Sequence, residues 1–193
     1  QQPPLGGLDA AHRLGRDGFP NLVVFTSLSK RSNAPGLRSG GVAGDAGLIE
    51  RFLLYRTYHG CAMSPAVQHA SIAAWNDETH VRENRAQYRA KFAAVVPMLE
   101  PVLDTHRPDA GFYLWAGVPG GDDAAFARDL FAATAVLVLP GRYLAREARG
   151  VNLGSGYVRI ALVPGKDDCV EAARRIVEFC RWWLTRPPLS RIR

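Results

Sequence analysis

The feature that most constrains this 193-residue chain is a lysine at the end of an apolar run. Lys30 is one of three lysines, whereas 21 of the 24 basic residues are arginines. It follows the segment 21–28 (Asn-Leu-Val-Val-Phe-Thr-Ser-Leu), whose apolar composition predicts a short buried strand. Only the amine of a lysine forms a Schiff base with a carbonyl, so a lysine in this position indicates chemistry that an arginine cannot perform.

Hydroxyls and a guanidinium accompany this amine. Ser27 and Ser29 lie two residues apart, and the period of a strand would turn both hydroxyls to the same side. Arg38 follows between glycines, and its fork matches the geometry of a phosphate. Together these residues predict a site for a phosphorylated aldehyde, and pyridoxal 5'-phosphate is the cofactor that needs both a lysine and an anchored phosphate. For an isolated Ser-x-Ser-Lys, a solvated surface lysine is the alternative.

A second arginine interrupts an apolar strand candidate at 157–163. Alternation along this strand places Arg159 on the same face as Tyr157 and Ala161. A charge there is costly unless an anion meets it, and a substrate carboxylate would accept two hydrogen bonds from the fork. An internal Asp or Glu partner, or a position on an edge strand, is the alternative.

These residues resemble a known family. Ser27-Leu28-Ser29-Lys30 and the segment that follows it are similar to the cofactor-attachment motif of the class I/II aminotransferases, which have the fold-type I architecture. Within the class, the chain most resembles bacterial succinyldiaminopimelate aminotransferase. The similarity covers nearly everything from Pro4 to about Cys180 and is carried by 27–30, 33–40, 55–65, 111–115 and 157–162.

The resemblance implies a role for each candidate residue. Lys30 would form the Schiff base with pyridoxal 5'-phosphate and then transfer the proton at the substrate Cα. Ser27 and Arg38 would bind the phosphate, with Ser29 as a weaker candidate, and Arg159 would bind the substrate α-carboxylate. The implied reaction moves an amino group from glutamate to an acidic keto acid, N-succinyl-2-amino-6-ketopimelate of lysine and diaminopimelate biosynthesis.

The resemblance also implies the fold class and the organisation of the chain. We expect an α/β chain in which 1–75 is a remnant of the large cofactor-binding domain, with an incomplete sheet. Residues 76–184 would form a long connecting helix and a small αβ domain, and 185–193 an irregular basic tail. Family members have a long preceding region, so we expect this chain to be the C-terminal part of a cytoplasmic enzyme that is a homodimer when intact. The alternatives are a truncated, non-catalytic remnant and another class I aminotransferase of the aspartate or aromatic type.

Composition limits other classes of function. Hydrophobic residues make up 47% of the chain and charged residues 22%, as in ordinary globular proteins. No apolar run reaches the ~20 residues of a membrane span. Three cysteines and five histidines have no metal-ligand spacing, so we expect no metal site. The formal charge of +6 is dispersed along the chain, and we therefore expect no nucleic-acid partner.

Periodicity and turn residues predict a coarse layout. A long Gly-rich loop is expected at 140–156. Helices are expected at 8–14, 46–58, 64–75, 77–103, 122–134 and 166–184, and strands at 22–28, 40–43, 111–115, 135–139 and 157–163.

Overall fold

The computed structural model describes residues 5–60 and 62–185, and its mixture of helices and small sheets confirms the α/β class. The tail predicted at 185–193 lies outside the described residues apart from Thr185. Internal contacts divide the chain into two compact units, Gln1–Asn84 and Arg85–Arg193. The domain boundary predicted at 75–76 stays a prediction.

The first unit contains a two-stranded antiparallel sheet and the helices that follow each strand. The last helix of the unit continues into the second one. In chain order the elements are α1 (Gly7–Arg13), β1 (Val23–Ser27), α2 (Leu28–Arg31), β2 (Gly40–Gly44), α3 (Ala46–His59), α4 (Pro65–Asn76) and α5 (Thr79–Leu99).

The strand that precedes Lys30 forms as predicted but is not buried. It ends at Ser27, paired with Gly40 of β2, because the next residue begins α2. Phe25, at its centre, remains 68% exposed and contacts Phe52 of α3 edge to face, with ring centroids 5.8 Å apart. The prediction of a buried strand was therefore wrong: among the described residues, β1 pairs with β2 alone.

Two helices of the first unit, α3 and α4, begin at side-chain caps. Asp45 accepts a hydrogen bond from the Leu48 backbone N–H at 3.1 Å and begins α3. Ser64 caps α4, with Pro65 in the first helical position, as the sequence predicted. No residue of α3 is buried. The apolar side chains of α3 are therefore only slightly buried by the other described residues of the unit.

The second unit contains a three-stranded antiparallel sheet in the order β3-β7-β4, packed against helices. Two short strands form a separate hairpin inside the predicted loop at 140–156. The elements are β3 (Tyr113–Gly117), α6 (Asp123–Thr134), β4 (Leu139–Pro140), β5 (Glu147–Ala148), β6 (Val151–Asn152), β7 (Tyr157–Ala161) and α7 (Lys166–Thr185).

The described hydrophobic core is concentrated in this second unit. One face of the sheet, with Leu114 and Val158 fully buried, packs on α6 and α7, where Phe126 and Phe179 meet edge to face at 5.4 Å. The long helix predicted at 77–103 ends at Leu99, two residues after its internal proline. The strand predicted at 135–139 is largely absent: α6 ends at Thr134 with Ala135 as a left-handed C-cap, and β4 (Leu139–Pro140) overlaps the predicted range only at Leu139.

A fully buried carboxylate holds both ends of the loop that precedes β7. Asp123 accepts hydrogen bonds from Arg142 Nε at 2.6 Å and from the backbone N–H groups of Arg142 at 3.0 Å and Gly156 at 3.2 Å. Burial alone would raise the pKa of Asp123, but these donors outweigh it, and the net pKa is lowered. The carboxylate thereby fixes the start of the strand that carries Arg159.

Two kinds of site are not found in the described part of the chain. No helix within residues 5–60 and 62–185 is long and apolar enough to cross a membrane. In the same ranges, no group of three or more His, Cys, Asp or Glu side chains could hold a metal ion.

We predict that the two units differ in local stability. The amides of Val23–Ser27 should exchange with solvent faster than those of Tyr157–Ala161, because a two-stranded sheet with exposed faces is marginal on its own. Hydrogen exchange followed by mass spectrometry measures both strands in one sample. Equal protection of the two strands would contradict this expectation.

We also predict a pH-dependent stabilisation from Asp123. Asp123→Asn should lower the free energy of unfolding at pH 7 by about 3 kcal/mol, because it leaves Arg142 without its buried partner. A lowered pKa stabilises the fold above the unfolded value of about 4, and this contribution is lost as the pH falls through the folded value. The difference between parent and variant should therefore shrink in acid, as measured by denaturant unfolding at several pH values.

The neighbouring carboxylate provides the matched control. Asp122 is 61% exposed and lies 3.1 Å from Arg142 Nη2. Asp122→Asn keeps a good helix cap and removes only a surface ion pair, so its effect should stay below about 1 kcal/mol. Equal effects of the two substitutions would refute the special role of the buried carboxylate.

Candidate cofactor and substrate site

The predicted phosphate hydroxyls come together at the turn from β1 into α2. Ser27 is the last residue of β1, and its Oγ accepts the Ser29 backbone N–H at 3.1 Å as the cap of the helix. The two serine hydroxyls lie 3.0 Å apart, and Ser27 Oγ also lies 3.0 Å from the Ser39 carbonyl oxygen. The predicted reason, alternation along one strand, was wrong: helix capping brings these hydroxyls together.

Lys30 lies in the same helical turn as Ser29. The backbone N–H of Leu28 donates to the Ser39 carbonyl at 3.1 Å, and the Leu28 side chain is fully buried, so the turn is fixed at its first residue. Lys30 itself is exposed. The surface-lysine alternative also predicts this exposure, so the neighbouring serine hydroxyls, and not the position of the lysine, favour a cofactor site.

Arg38 lies at the corresponding end of the same sheet. It has a left-handed backbone (φ 49°, ψ 36°) at the end of a short 3-10 turn, and its Nη1 donates to the Pro35 carbonyl at 3.0 Å. Gly40, two residues later, pairs with Ser27. The guanidinium is exposed, so an anion can reach it without entering a closed cavity.

A buried serine pair supports this end of the sheet and was not predicted. Ser39 and Ser71 are 3% and 5% exposed, and their hydroxyl oxygens lie 2.8 Å apart. Ser71 also contacts the Val67 carbonyl at 2.6 Å, so the pair joins the residue after Arg38 to α4. Serine is common in loops, and nothing in the local sequence indicated this contact.

Arg31 is a second residue that sequence reasoning missed. Its Nη1 donates to the Ala74 carbonyl at 2.8 Å, and its guanidinium lies 4.9 Å from the centre of the Trp75 ring. It also forms an ion pair with Glu78. The only available signal was an arginine next to the lysine in a segment of one helical turn.

In the second unit, Arg159 lies on the central strand of the sheet. It is paired with Trp115 of β3 and Leu139 of β4, so the edge-strand alternative is wrong. Its guanidinium lies 5.7 Å from the centre of the Tyr113 ring. None of the ion pairs formed by the described residues includes Arg159.

The environment of Arg159 suits an anion that is not part of the described chain. Its Nε is buried and has no hydrogen-bond partner among residues 5–60 and 62–185. Beside it, the Trp115 and Tyr157 rings stack with centroids 5.8 Å apart and planes inclined by 15°. Alternation along β7 turns Arg159 away from the buried face, as predicted. A carboxylate would satisfy the orphaned donor.

The residues of the first unit fit the chemistry of pyridoxal 5'-phosphate. An exposed amine provides the group that bonds an aldehyde, and two hydroxyls 3.0 Å apart provide donors for phosphate oxygens. The nearby guanidinium provides positive charge at the same end of the sheet. No described residue of this turn carries a negative charge that would repel a phosphate.

Comparison with known proteins identifies the family. The family model for aminotransferase class I and II matches residues 5–176. A probable aminotransferase of Mycobacterium tuberculosis is 36% identical over 79% of this chain and 34% of its own length. An LL-diaminopimelate aminotransferase of Nitratidesulfovibrio vulgaris is 35% identical over 81% of this chain and 40% of its own length.

Solved structures agree with this result. The crystal structure of an aminotransferase from Neisseria meningitidis is 60% identical, with a TM-score of 0.86, and covers 92% of this chain and 45% of its own. A probable N-succinyldiaminopimelate aminotransferase from Thermus thermophilus is 30% identical, with a TM-score of 0.73, and covers 84% of this chain and 43% of its own.

The described residues therefore have the fold of a segment of these enzymes. The chain spans less than half the length of the relatives that it matches. Members of the family depend on pyridoxal 5'-phosphate, which agrees with the amine, hydroxyls and guanidinium found in the first unit. The chain belongs to the family of class I and II aminotransferases.

Proposed function

We propose that this chain provides the cofactor-attachment lysine and the carboxylate-binding arginine of an aminotransferase that uses pyridoxal 5'-phosphate. One observation carries the proposal: the Ser27 and Ser29 hydroxyls lie 3.0 Å apart in the turn that holds Lys30. Membership of the family supports the reaction type, the transfer of an amino group between an amino acid and a keto acid.

In this proposal Lys30 has two tasks. Its amine would hold the aldehyde of the cofactor, and the same amine would move the proton at the substrate Cα. When bound, the cofactor supplies an electron sink for negative charge at that carbon. Lys30 suits both tasks because its helix is anchored at Leu28 while its own side chain is exposed.

Three residues would hold the phosphate. Ser27 and Ser29 contribute hydroxyls from the helix cap, and Arg38 contributes a charged donor from the loop before β2. Hydrogen bonds from a guanidinium to an anion are stronger than those from neutral donors, so we expect Arg38 to contribute the largest share of phosphate affinity.

Arg159 would bind the α-carboxylate of the amino acid or keto acid. The orphaned Nε favours this role, since a carboxylate supplies the acceptor that the described residues do not. The stacked Trp115 and Tyr157 rings beside it provide an apolar wall for the substrate chain. Asp123 supports the arrangement by fixing Gly156, three residues before the arginine.

For the substrate we propose glutamate as the donor and an acidic keto acid, N-succinyl-2-amino-6-ketopimelate, as the acceptor. The names of relatives support this choice: several are LL-diaminopimelate aminotransferases, and one solved structure is a probable N-succinyldiaminopimelate aminotransferase. A homodimer in the cytoplasm belongs to the same proposal. The exposed apolar side chains of α3, including Leu53 at 67% and Tyr58 at 78%, are consistent with a face that another chain covers.

An absorbance scan tests the attachment of the cofactor. Addition of pyridoxal 5'-phosphate should produce a band that differs from that of the free aldehyde, and Lys30→Ala should abolish it because the bonding amine is gone. Lys166→Ala is the matched control, since Lys166 is an exposed lysine of the second unit and its removal should leave the band intact. A band that survives Lys30→Ala, or that never forms with the parent chain, would refute the proposal.

A further inference from the structure

The geometry points to Arg31 as a positioning residue that holds Lys30 in its reactive orientation, an inference that rests on the proposed function. The two residues are adjacent in α2. Lys30 is an exposed residue, and Arg31 donates a hydrogen bond to the end of a different helix. The side chain of Arg31 is 16% exposed, although it carries a permanent charge. A guanidinium is that well covered only where acceptors compensate its loss of water.

The helix that contains Lys30 needs a stabilising contact of the kind that Arg31 makes. It has four residues, which form a single turn. Isolated helices of this length do not form in water, because the conformational entropy lost in the first turn exceeds the gain from its hydrogen bond. Within the segment, the Ser32 and Ala34 backbone N–H groups donate to the Leu28 carbonyl at 3.0 and 3.2 Å. Other anchors must therefore hold the turn, and Ser27 and Leu28 act only at its first residue.

Arg31 anchors the other end of the turn. Its Nη1 donates to the Ala74 carbonyl at 2.8 Å, and its Nη2 lies 3.4 Å from the Trp75 carbonyl and 3.5 Å from that of Asp77. These are carbonyls at the C-terminal end of α4, where the last turn lacks intrahelical donors and the helix dipole is negative. The ion pair with Glu78 and the Trp75 ring complete the enclosure of the guanidinium.

Anchoring Arg31 also fixes the rotation of α2. Leu28 and Arg31 lie three residues apart, so they share one face of the turn, and both are attached to the first unit. Lys30 is offset from Arg31 by about 100° around the helix axis and is turned toward solvent. Because Leu28 and Arg31 hold both ends of this face, α2 cannot rotate. The Cα–Cβ bond of Lys30 therefore keeps a fixed direction relative to the Ser27 and Ser29 hydroxyls.

The contacts of the Arg31 side chain require an arginine. The planar fork reaches several carbonyls and lies over an aromatic ring at the same time. A lysine could make one of these contacts but could not fix the turn against rotation. This difference separates positioning from a simple requirement for positive charge.

Lysine trapping provides the test, because the chain has only three lysines. The chain is treated with pyridoxal 5'-phosphate and sodium borohydride, which reduces each Schiff base to a stable label on the lysine. The rate at which each lysine is labelled is followed by peptide mass spectrometry. In the parent chain Lys30 should react faster than Lys166, an exposed lysine of the second unit. Arg31→Met should slow Lys30 about ten-fold because the amine loses its orientation, and it should leave the rate at Lys166 unchanged.

Two further variants separate positioning from charge and from folding. Arg31→Lys keeps the charge and should give an intermediate rate at Lys30, with fragmentation of the peptide separating the label at position 30 from any label on the lysine introduced at position 31. Arg82→Met removes an exposed arginine of the same unit that contacts the Thr79 hydroxyl at 3.3 Å, and it should match the parent. Amide exchange of α4 identifies the variants whose first unit is intact, and trapping rates are compared among those.

The outcomes distinguish this inference from the function on which it rests. If Lys30 of the parent chain reacts no faster than Lys166, the proposed function fails, and the positioning role fails with it. If the parent is selective and an intact Arg31 variant is equally selective, only the positioning role is overturned. If both Arg31 variants lose amide protection throughout α4, Arg31 is a structural residue of that helix and the inference is rejected.

Discussion

The candidate site depends on one hydrogen bond, from the Ser29 backbone N–H to Ser27 Oγ at the turn from strand to helix. This cap ends β1, begins α2 and brings two hydroxyls within 3.0 Å of each other. It also determines where Lys30 falls in the helical turn. Without the cap, the two hydroxyls would lose the turn that holds them 3.0 Å apart, and Lys30 would not lie in a helical turn beside them. The preference of serine for the N-cap position of a helix thus positions the candidate site residues.

The two units support their candidate site residues in different ways. Arg159 lies on the central strand of a sheet whose other face belongs to the described hydrophobic core, so its backbone is held by packing. Lys30 lies in a unit with few buried residues, and its helix is held by one buried side chain, Leu28, together with polar contacts. The guanidinium of Arg31 and the Ser39–Ser71 pair take the place that apolar packing has elsewhere. Polar contacts of this kind are directional, which suits a residue whose orientation matters.

The sequence was informative where function rests on adjacent residues. Lys30, its serines and Arg38 could be proposed because amine, hydroxyl and guanidinium lie within a short segment, and Arg159 could be proposed because a charge interrupts an apolar strand. The exposure of β1 could not be predicted, because an apolar run does not reveal whether another layer of the fold covers the strand. The partners of Arg31 lie more than 40 residues away, so no local pattern indicated them. Contacts of that range depend on how α4 is placed, which periodicity does not specify.

The most direct measurement joins this chain to the part of the Neisseria meningitidis aminotransferase that it does not match, and assays the hybrid; over the matched part the two are 60% identical. With glutamate as donor and a panel of keto acids, the hybrid should transaminate, and Lys30→Ala should abolish turnover. Arg159→Gln should raise the KM for both substrates while the absorbance of the bound cofactor stays unchanged, because in the proposed role the arginine would bind the carboxylate and not the cofactor. A folded hybrid that transaminates equally well without Lys30 would contradict the account.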